Sequence, residues 1–463
     1  MMRVLFLILL SLWLPVAALA QPTTKMTRVV PYDYRVDDLP NGLRLVTMPT
    51  DYPNLVALYI VVRTGSRNEV EPGRSGYAHL FEHMMFRGSE HYTPEERDAI
   101  LKRAGASSNA YTSDDRTVYH EVFAREDLDQ VMKLEADRFL RLKYSPDVYR
   151  TETRAVLGEY NKNSASPMEQ LFEKLRETAF DRHTYKHTTM GFLKDIEDMP
   201  NQYDYSIQFY QRYYRPENTT ILLVGDVKRE GALALVNRYF GEWKRGDHMP
   251  QIPAEPEQTA PRAAHVEWPS PTLPYLAVAF RGPAYSDERK DKAALDLLAP
   301  IAFGENSDLY QKLVLKEQKV DLLEVGFDNQ IDSELFTVYA RVKDAKDVNY
   351  VRDQILATYK RYTSEQVPQA QLDATRSRMR YGLALSMDSS EAIASALAPF
   401  IALRRTPETV DKLFALYQNI TPADIRAVAA RHFVEPHRTI VTLAPKAGEV
   451  AKAGGEKAVN PQQ

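Results

Sequence analysis

The chain has 463 residues and no cysteine. A disulfide framework is therefore excluded, and so is a lipid anchor on a cysteine behind an export signal. An exported chain without thiols also cannot mispair in an oxidising compartment. Long apolar runs are almost as scarce. The one candidate, Val4 to Leu14, is short for a membrane span, is followed by Pro15 and gives way to small residues. No second such run follows, so no stable membrane anchor is expected once that segment is removed. Charge of one sign is lacking too. The net charge is −4 with both signs interspersed, and nothing in it favours nucleic acid or an anionic membrane surface.

What remains is an ordinary globular composition, 44% hydrophobic and 26% charged. The length exceeds one comfortable core, so two domains of about two hundred residues each are expected. The N-terminus reads as an export signal over residues 1–20. Arg3 supplies the positive start, Val4 to Leu14 the apolar stretch, and Ala18-Leu19-Ala20 the cleavage site. The mature chain is expected to begin near Gln21. A periplasmic location follows, with release from the cell as second choice.

The most specific feature present is His79-Leu80-Phe81-Glu82-His83. On a helix, residues four apart share a face, so His79 and His83 can offer two imidazoles to one ion. Glu82 stays on the same side, within reach of a water at that ion. Tyr77 to Phe86 is mostly apolar; Ser75 is the expected cap and Gly88 the expected stop. Two histidines four apart are by themselves ordinary helix residues. The glutamate fixed between them is what raises the pattern above that reading.

A zinc site of this kind needs a third protein ligand and leaves a fourth position for water. Glu152 and Glu159 lie seven apart in Thr151–Glu159, which puts both carboxylates on one face of a second helix. Val148, Ala155, Val156 and Tyr160 are the expected inward positions there. Spacing alone leaves a solvated acidic face as the competing reading.

These residues together resemble the pitrilysin/insulinase family of zinc peptidases, whose His-x-x-Glu-His reverses the commoner metallopeptidase order. The likeness is strongest to bacterial processing peptidases and the mitochondrial processing peptidase β-subunit. In that family a Glu-x6-Glu pair follows some seventy-odd residues on, and here Glu159 stands 76 positions after His83. The resemblance implies that His79, His83 and Glu159 bind one zinc ion and that Glu82 is the catalytic base. Glu152 becomes the carboxylate that supports the ligands. Gly65-Ser66-Arg67-Asn68-Glu69 matches a stretch ahead of the family's zinc helix. Asn109-Ala110-Tyr111-Thr112-Ser113 with Thr117-Val118-Tyr119 matches its strand pair, and Asp114-Asp115 suits the turn between them. His183-Thr184-Tyr185 and Gly191 resemble a later family stretch, with Thr184 in place of a proline.

The implied fold is α+β, with two homologous domains that each pack helices on a mixed sheet. The expected zinc-binding domain covers residues 27–245. A Pro- and Gln-rich linker covers 246–264, a homologous domain without metal 265–445, and a disordered tail 446–463. Expected strands of the first half lie at 42–48, 55–63, near Asn109 and Thr117, and at 219–227; those of the second lie at 275–280, 322–327, 335–342 and 439–443. Laying Phe303 over Phe86 puts Asp296, Ala299 and Pro300 where the first half has His79, Glu82 and His83. The family's second half also carries an Arg and a Tyr that grip the substrate carbonyl. Val314 and Asp321 stand at those positions here, so that pair does not carry over.

The implied activity is zinc-dependent endopeptidase hydrolysis, with Glu82 moving the water proton to the leaving amine. Substrate is expected to add as an extended strand along Asn109, Ala110, Tyr111 and Thr112. His91 and His120 read as surface or strand residues, and His183 and His187 as neighbours of the substrate cleft. The alternative is a non-catalytic zinc-containing subunit of a processing-peptidase-like complex. The expected partner is a homologous chain supplying the missing Arg/Tyr pair, which makes a heterodimer first choice and a homodimer second.

Overall fold

The computed structural model describes residues 28–248 and 250–446. The expected export signal, the expected start at Gln21 and the expected tail beyond Lys446 lie outside the described residues. Two mixed sheets organise the chain. The first contains β1 (Arg35–Asp38), β2 (Arg44–Pro49), β3 (Leu55–Val62), β4 (Ser107–Thr112), β5 (Thr117–Ala124) and β6 (Thr219–Gly225), in the order β1-β2-β6-β3-β5-β4. The second contains β7 (Arg262–Trp268), β8 (Tyr275–Arg281), β9 (Val320–Gly326), β10 (Leu335–Val342) and β11 (Arg438–Pro445), in the order β7-β11-β8-β10-β9. Apart from β1 the two orders are the same. The last strand of each half runs parallel to one neighbour, β6 to β2 and β11 to β7, and the other neighbours are antiparallel. The expected duplication is therefore visible as topology.

Each sheet is covered on both faces, which explains why β3 and β6 read as unbroken apolar runs. Alternate residues of a strand face opposite sides. In the first sheet Val56, Leu58, Ile60 and Val62 pack with the helices of the first half. Ala57, Tyr59 and Val61 face the other way, against Ile393, Leu397 and Ile401 on the helix Ser390–Arg404. That helix belongs to the second half. The exchange is reciprocal: Leu171, Leu175 and Ala179 of the first half pack against Ala277, Ala279, Tyr339 and Val441 of the second sheet. Each half thus lends one helix to the other's sheet, and the interface between them is part of the core.

The helices of the first half include α1 (Tyr77–Met84), α2 (Pro94–Arg103), α3 (Leu128–Leu140), α4 (Pro146–Asn163) and α5 (Pro167–Ala179), the last being the helix lent to the second sheet. Two local expectations are corrected. Ser75 does not cap α1. The helix starts from Gly76 in the left-handed region, and the Ser75 hydroxyl donates instead to Asp195 Oδ2 at 2.6 Å. On α4 Ala155 is exposed, because the buried face runs through Tyr149, Glu152, Thr153, Val156 and Tyr160. Strand β7 begins inside the stretch read as a linker.

Candidate metal centre

Helix α1 buries Leu80, Phe81 and Met84 in the core of the first half, which turns His79 and His83 toward α4. Glu159 of α4 meets them. Its Oε2 lies 3.6 Å from His79 Nε2 and 3.5 Å from His83 Nε2. Among the described residues, His79, His83 and Glu159 form the one group of His, Asp and Glu side chains arranged to hold an ion, with ligand atoms within 4.8 Å of one another. The imidazole rings stand nearly perpendicular, their centroids 4.9 Å apart.

Glu152, two turns before Glu159, is buried behind the histidines. Its Oε2 is 3.6 Å from His83 Nδ1, and its Oε1 pairs with Arg87 Nε at 2.8 Å. Glu82 is half-buried and accepts a hydrogen bond from the Thr112 hydroxyl at 2.7 Å. Electrostatics separate the two histidines. Burial, with the charge of His83, pushes His79 down to about 4. That leaves a neutral imidazole near pH 7, with its lone pair available. Glu152 holds His83 above the usual range. Burial raises Glu82, opposed by the Thr112 hydroxyl and by His83. Two neutral-capable imidazoles and one carboxylate on two helices suit a zinc ion, which takes N and O ligands and needs three from the protein at an open site.

Thr112 ends β4, which is the outer strand of its sheet. Ala110 is buried, Tyr111 and Thr112 are half-buried, and Asn109 is exposed. Among the described residues no strand lies beside the outer edge of β4. Three further histidines are engaged away from the cluster. His91 is 2.6 Å from Asp137, and His120 stacks on Tyr59. His183 Nε2 is 2.9 Å from Asp332, a residue of the second half. In the second half Asp296, laid over His79 in the sequence comparison, pairs with the buried Lys292 and accepts the Tyr417 hydroxyl at 2.9 Å. Val314 packs against the core, and Asp321 pairs with Arg341 at 2.8 Å.

Two relations escaped the sequence reading. Arg87 lies past the end of α1, and nothing in its spacing announces the Glu152 pair. Thr112 lies on the expected substrate strand, and its hydroxyl also holds Glu82.

Comparison with known proteins matches residues 45–192 to the insulinase family (peptidase family M16) and residues 202–379 to the M16 inactive domain. The chain belongs to the M16 peptidase family. Among M16 relatives it is 28% identical over 417 residues to the zinc protease PqqE of Helicobacter pylori, covering 88% of this chain and 92% of that one. It is 24% identical over 428 residues to a probable mitochondrial-processing peptidase β-subunit of Arabidopsis thaliana, covering 89% and 78%. A protease structure from Helicobacter pylori superposes with a TM-score of 0.83 at 27% identity, over 89% of this chain and all (100%) of that one. The periplasmic protease PqqL of Escherichia coli shares the fold, with a TM-score of 0.72 at 19% identity over 91% of this chain and 49% of that one. Among the described residues no helix is long and apolar enough to cross a membrane.

Proposed function

We propose that this M16 chain is a zinc-dependent endopeptidase acting on peptides or unfolded polypeptide segments. The observation that carries the reading is the convergence of His79, His83 and Glu159, with Glu82 on the same helix held by Thr112. His79, His83 and Glu159 would hold one zinc ion, and Glu152 would orient His83 from behind. A zinc ion there supplies Lewis acidity toward a carbonyl and lowers the pKa of a water toward ~7. Glu82 accepts the proton of the attacking water and passes it to the leaving amine nitrogen. Its burial favours this task, because a carboxylate raised above the usual range gains basicity near neutral pH. The free edge of β4 along Asn109, Ala110, Tyr111 and Thr112 receives substrate as an added strand. Main-chain hydrogen bonds then give affinity with little demand on sequence.

The relatives named as subunits of a processing peptidase support an assembled enzyme. A second donor to the carbonyl is needed as negative charge develops. Val314 and Asp321 do not supply it, so a homologous chain carrying an Arg/Tyr pair is the first choice of partner and a second copy of this chain the next. Division into a zinc-binding half and a homologous half without metal belongs to the same proposal, as does export to the periplasm. The reading as a non-catalytic subunit has against it the complete set His79, Glu82, His83, Glu152 and Glu159.

The test is hydrolysis of a quenched peptide by the zinc-loaded chain, alone and with candidate homologous partners, with mass measured by light scattering. Hydrolysis by a dimer is expected. No hydrolysis under any pairing, with zinc bound, would favour the non-catalytic reading. Full activity from a lone monomer would remove the need for a partner.

A further inference from the structure

The Gly65–Glu69 stretch is not used by the chemistry above, yet the side chain of its last residue reaches the start of the ligand helix. Helix α1 has eight residues and no cap of its own, since Gly76 has no side chain and Ser75 is turned toward Asp195. The first N–H groups of a helix lack partners within it. A two-turn helix is also marginal alone, so what holds its ends fixes its position. Glu69 does the holding. Its Oε2 accepts the Gly76 N–H and its Oε1 the Ala78 N–H, each at 2.7 Å, and the residue is buried. Both oxygens are acceptors, and Ala78 is the residue before His79.

Glu69 is itself anchored. The Asn68 N–H donates to Gly65 O at 3.0 Å, the Arg67 N–H to Asp114 O at 2.8 Å, and the Ser66 hydroxyl to Asp114 Oδ1 at 2.7 Å. A Cβ at Gly65 would collide with the carbonyls of Ser113 and Asp114, so this close approach needs glycine. Residues 113–116 turn β4 into β5, and Thr112 just before them holds Glu82. One turn therefore grips both the ligand helix and the strand that steadies Glu82.

We propose that Glu69 is a positioning residue for the metal centre, holding the first turn of α1 so that His79 and His83 meet Glu159. This rests on reading those three side chains as zinc ligands. A cap that merely stabilises a helix would be equivalent to Thr93, whose hydroxyl accepts the Glu96 N–H at 3.2 Å at the start of α2, a helix without ligands. The test compares Glu69→Gln with Thr93→Ala in the full chain. The glutamine keeps one acceptor and sets an NH2 group against the second N–H. Zinc affinity is measured by chelator competition, and stability of the metal-free chain by urea unfolding. Both variants are expected to lose stability, but only Glu69→Gln to weaken zinc, by roughly ten- to a hundredfold. If Glu69→Gln does not fold, Glu69→Asp keeps the carboxyl group with a shorter reach and is expected to give a smaller loss in the same direction. Zinc affinity within twofold of the parent, or an equal loss in Thr93→Ala, overturns the positioning role. A parent chain that binds no zinc overturns the ligand assignment and this proposal with it.

Discussion

Two residues carry predictions of their own. Glu82→Gln keeps the shape of the side chain but cannot take a proton at neutral pH. Hydrolysis should fall by roughly two to four orders of magnitude, with zinc retained. Near-normal turnover of a quenched peptide would take Glu82 out of the reaction. Glu334 is a carboxyl pushed up by burial to about 7, against the pull of Arg176. The folded chain then holds its proton more tightly than the unfolded chain, where the group titrates near 4.5. Stability should fall as pH rises between those values and level off above them. Glu334→Gln is expected to stabilise the protein at pH 8 by on the order of 1–3 kcal/mol, with the gain shrinking toward pH 5. Urea unfolding at the two pH values checks this, and an equal gain at both would show that Glu334 does not hold its proton. At this scale the histidine pair was legible because four-residue spacing is local geometry. Glu159 was legible only with the family pattern beside it. Glu69, Arg87 and the Thr112 hydroxyl act through contacts that tertiary structure creates, and no spacing encodes them.

Among the elements, α1 is the one whose placement is most exposed to its neighbours. Gly191 lies back to back with Gly76: its φ is +84°, and a Cβ there would come within 2.7 Å of the Gly76 nitrogen. Gly191→Ala strains the backbone by roughly 1–3 kcal/mol and pushes on the first turn of α1. Lower thermal stability and weaker zinc binding are expected together. Unchanged zinc affinity despite a lower Tm would show that the push is absorbed elsewhere. Most strands were legible, since β3, β6, β8 and β10 are apolar runs between turn residues. β1 was not, because Arg35-Val36-Asp37-Asp38 is polar and lies at a sheet edge. β7 was not, because its residues alternate half-buried and exposed beside a proline-rich stretch, and its pairing with β11 joins segments far apart in sequence. Ala155 misled because the face of α4 is set by burial of Glu152, a charged residue that pattern reading places outside.

For the whole molecule, the duplication was legible as a repeated order of elements, whereas the exchange of helices was not. An amphipathic helix announces an apolar face without saying which sheet it covers, and α5 and the helix Ser390–Arg404 each cover the other half's sheet. The second half also reaches the first through Asp332, which pairs with Arg67 at 2.5 Å and His183 at 2.9 Å. Arg67 belongs to the turn that ends in Glu69, so the second half helps to fix the half that holds the His79, His83 and Glu159 cluster. The proposed activity involves a partner, whereas the three proposed ligands all belong to this chain. The most direct measurement is therefore elemental analysis of zinc per chain in the parent, His79→Ala and Glu159→Ala. One zinc per parent chain and its loss in both variants is the predicted result. Full zinc retained by either variant would contradict the account.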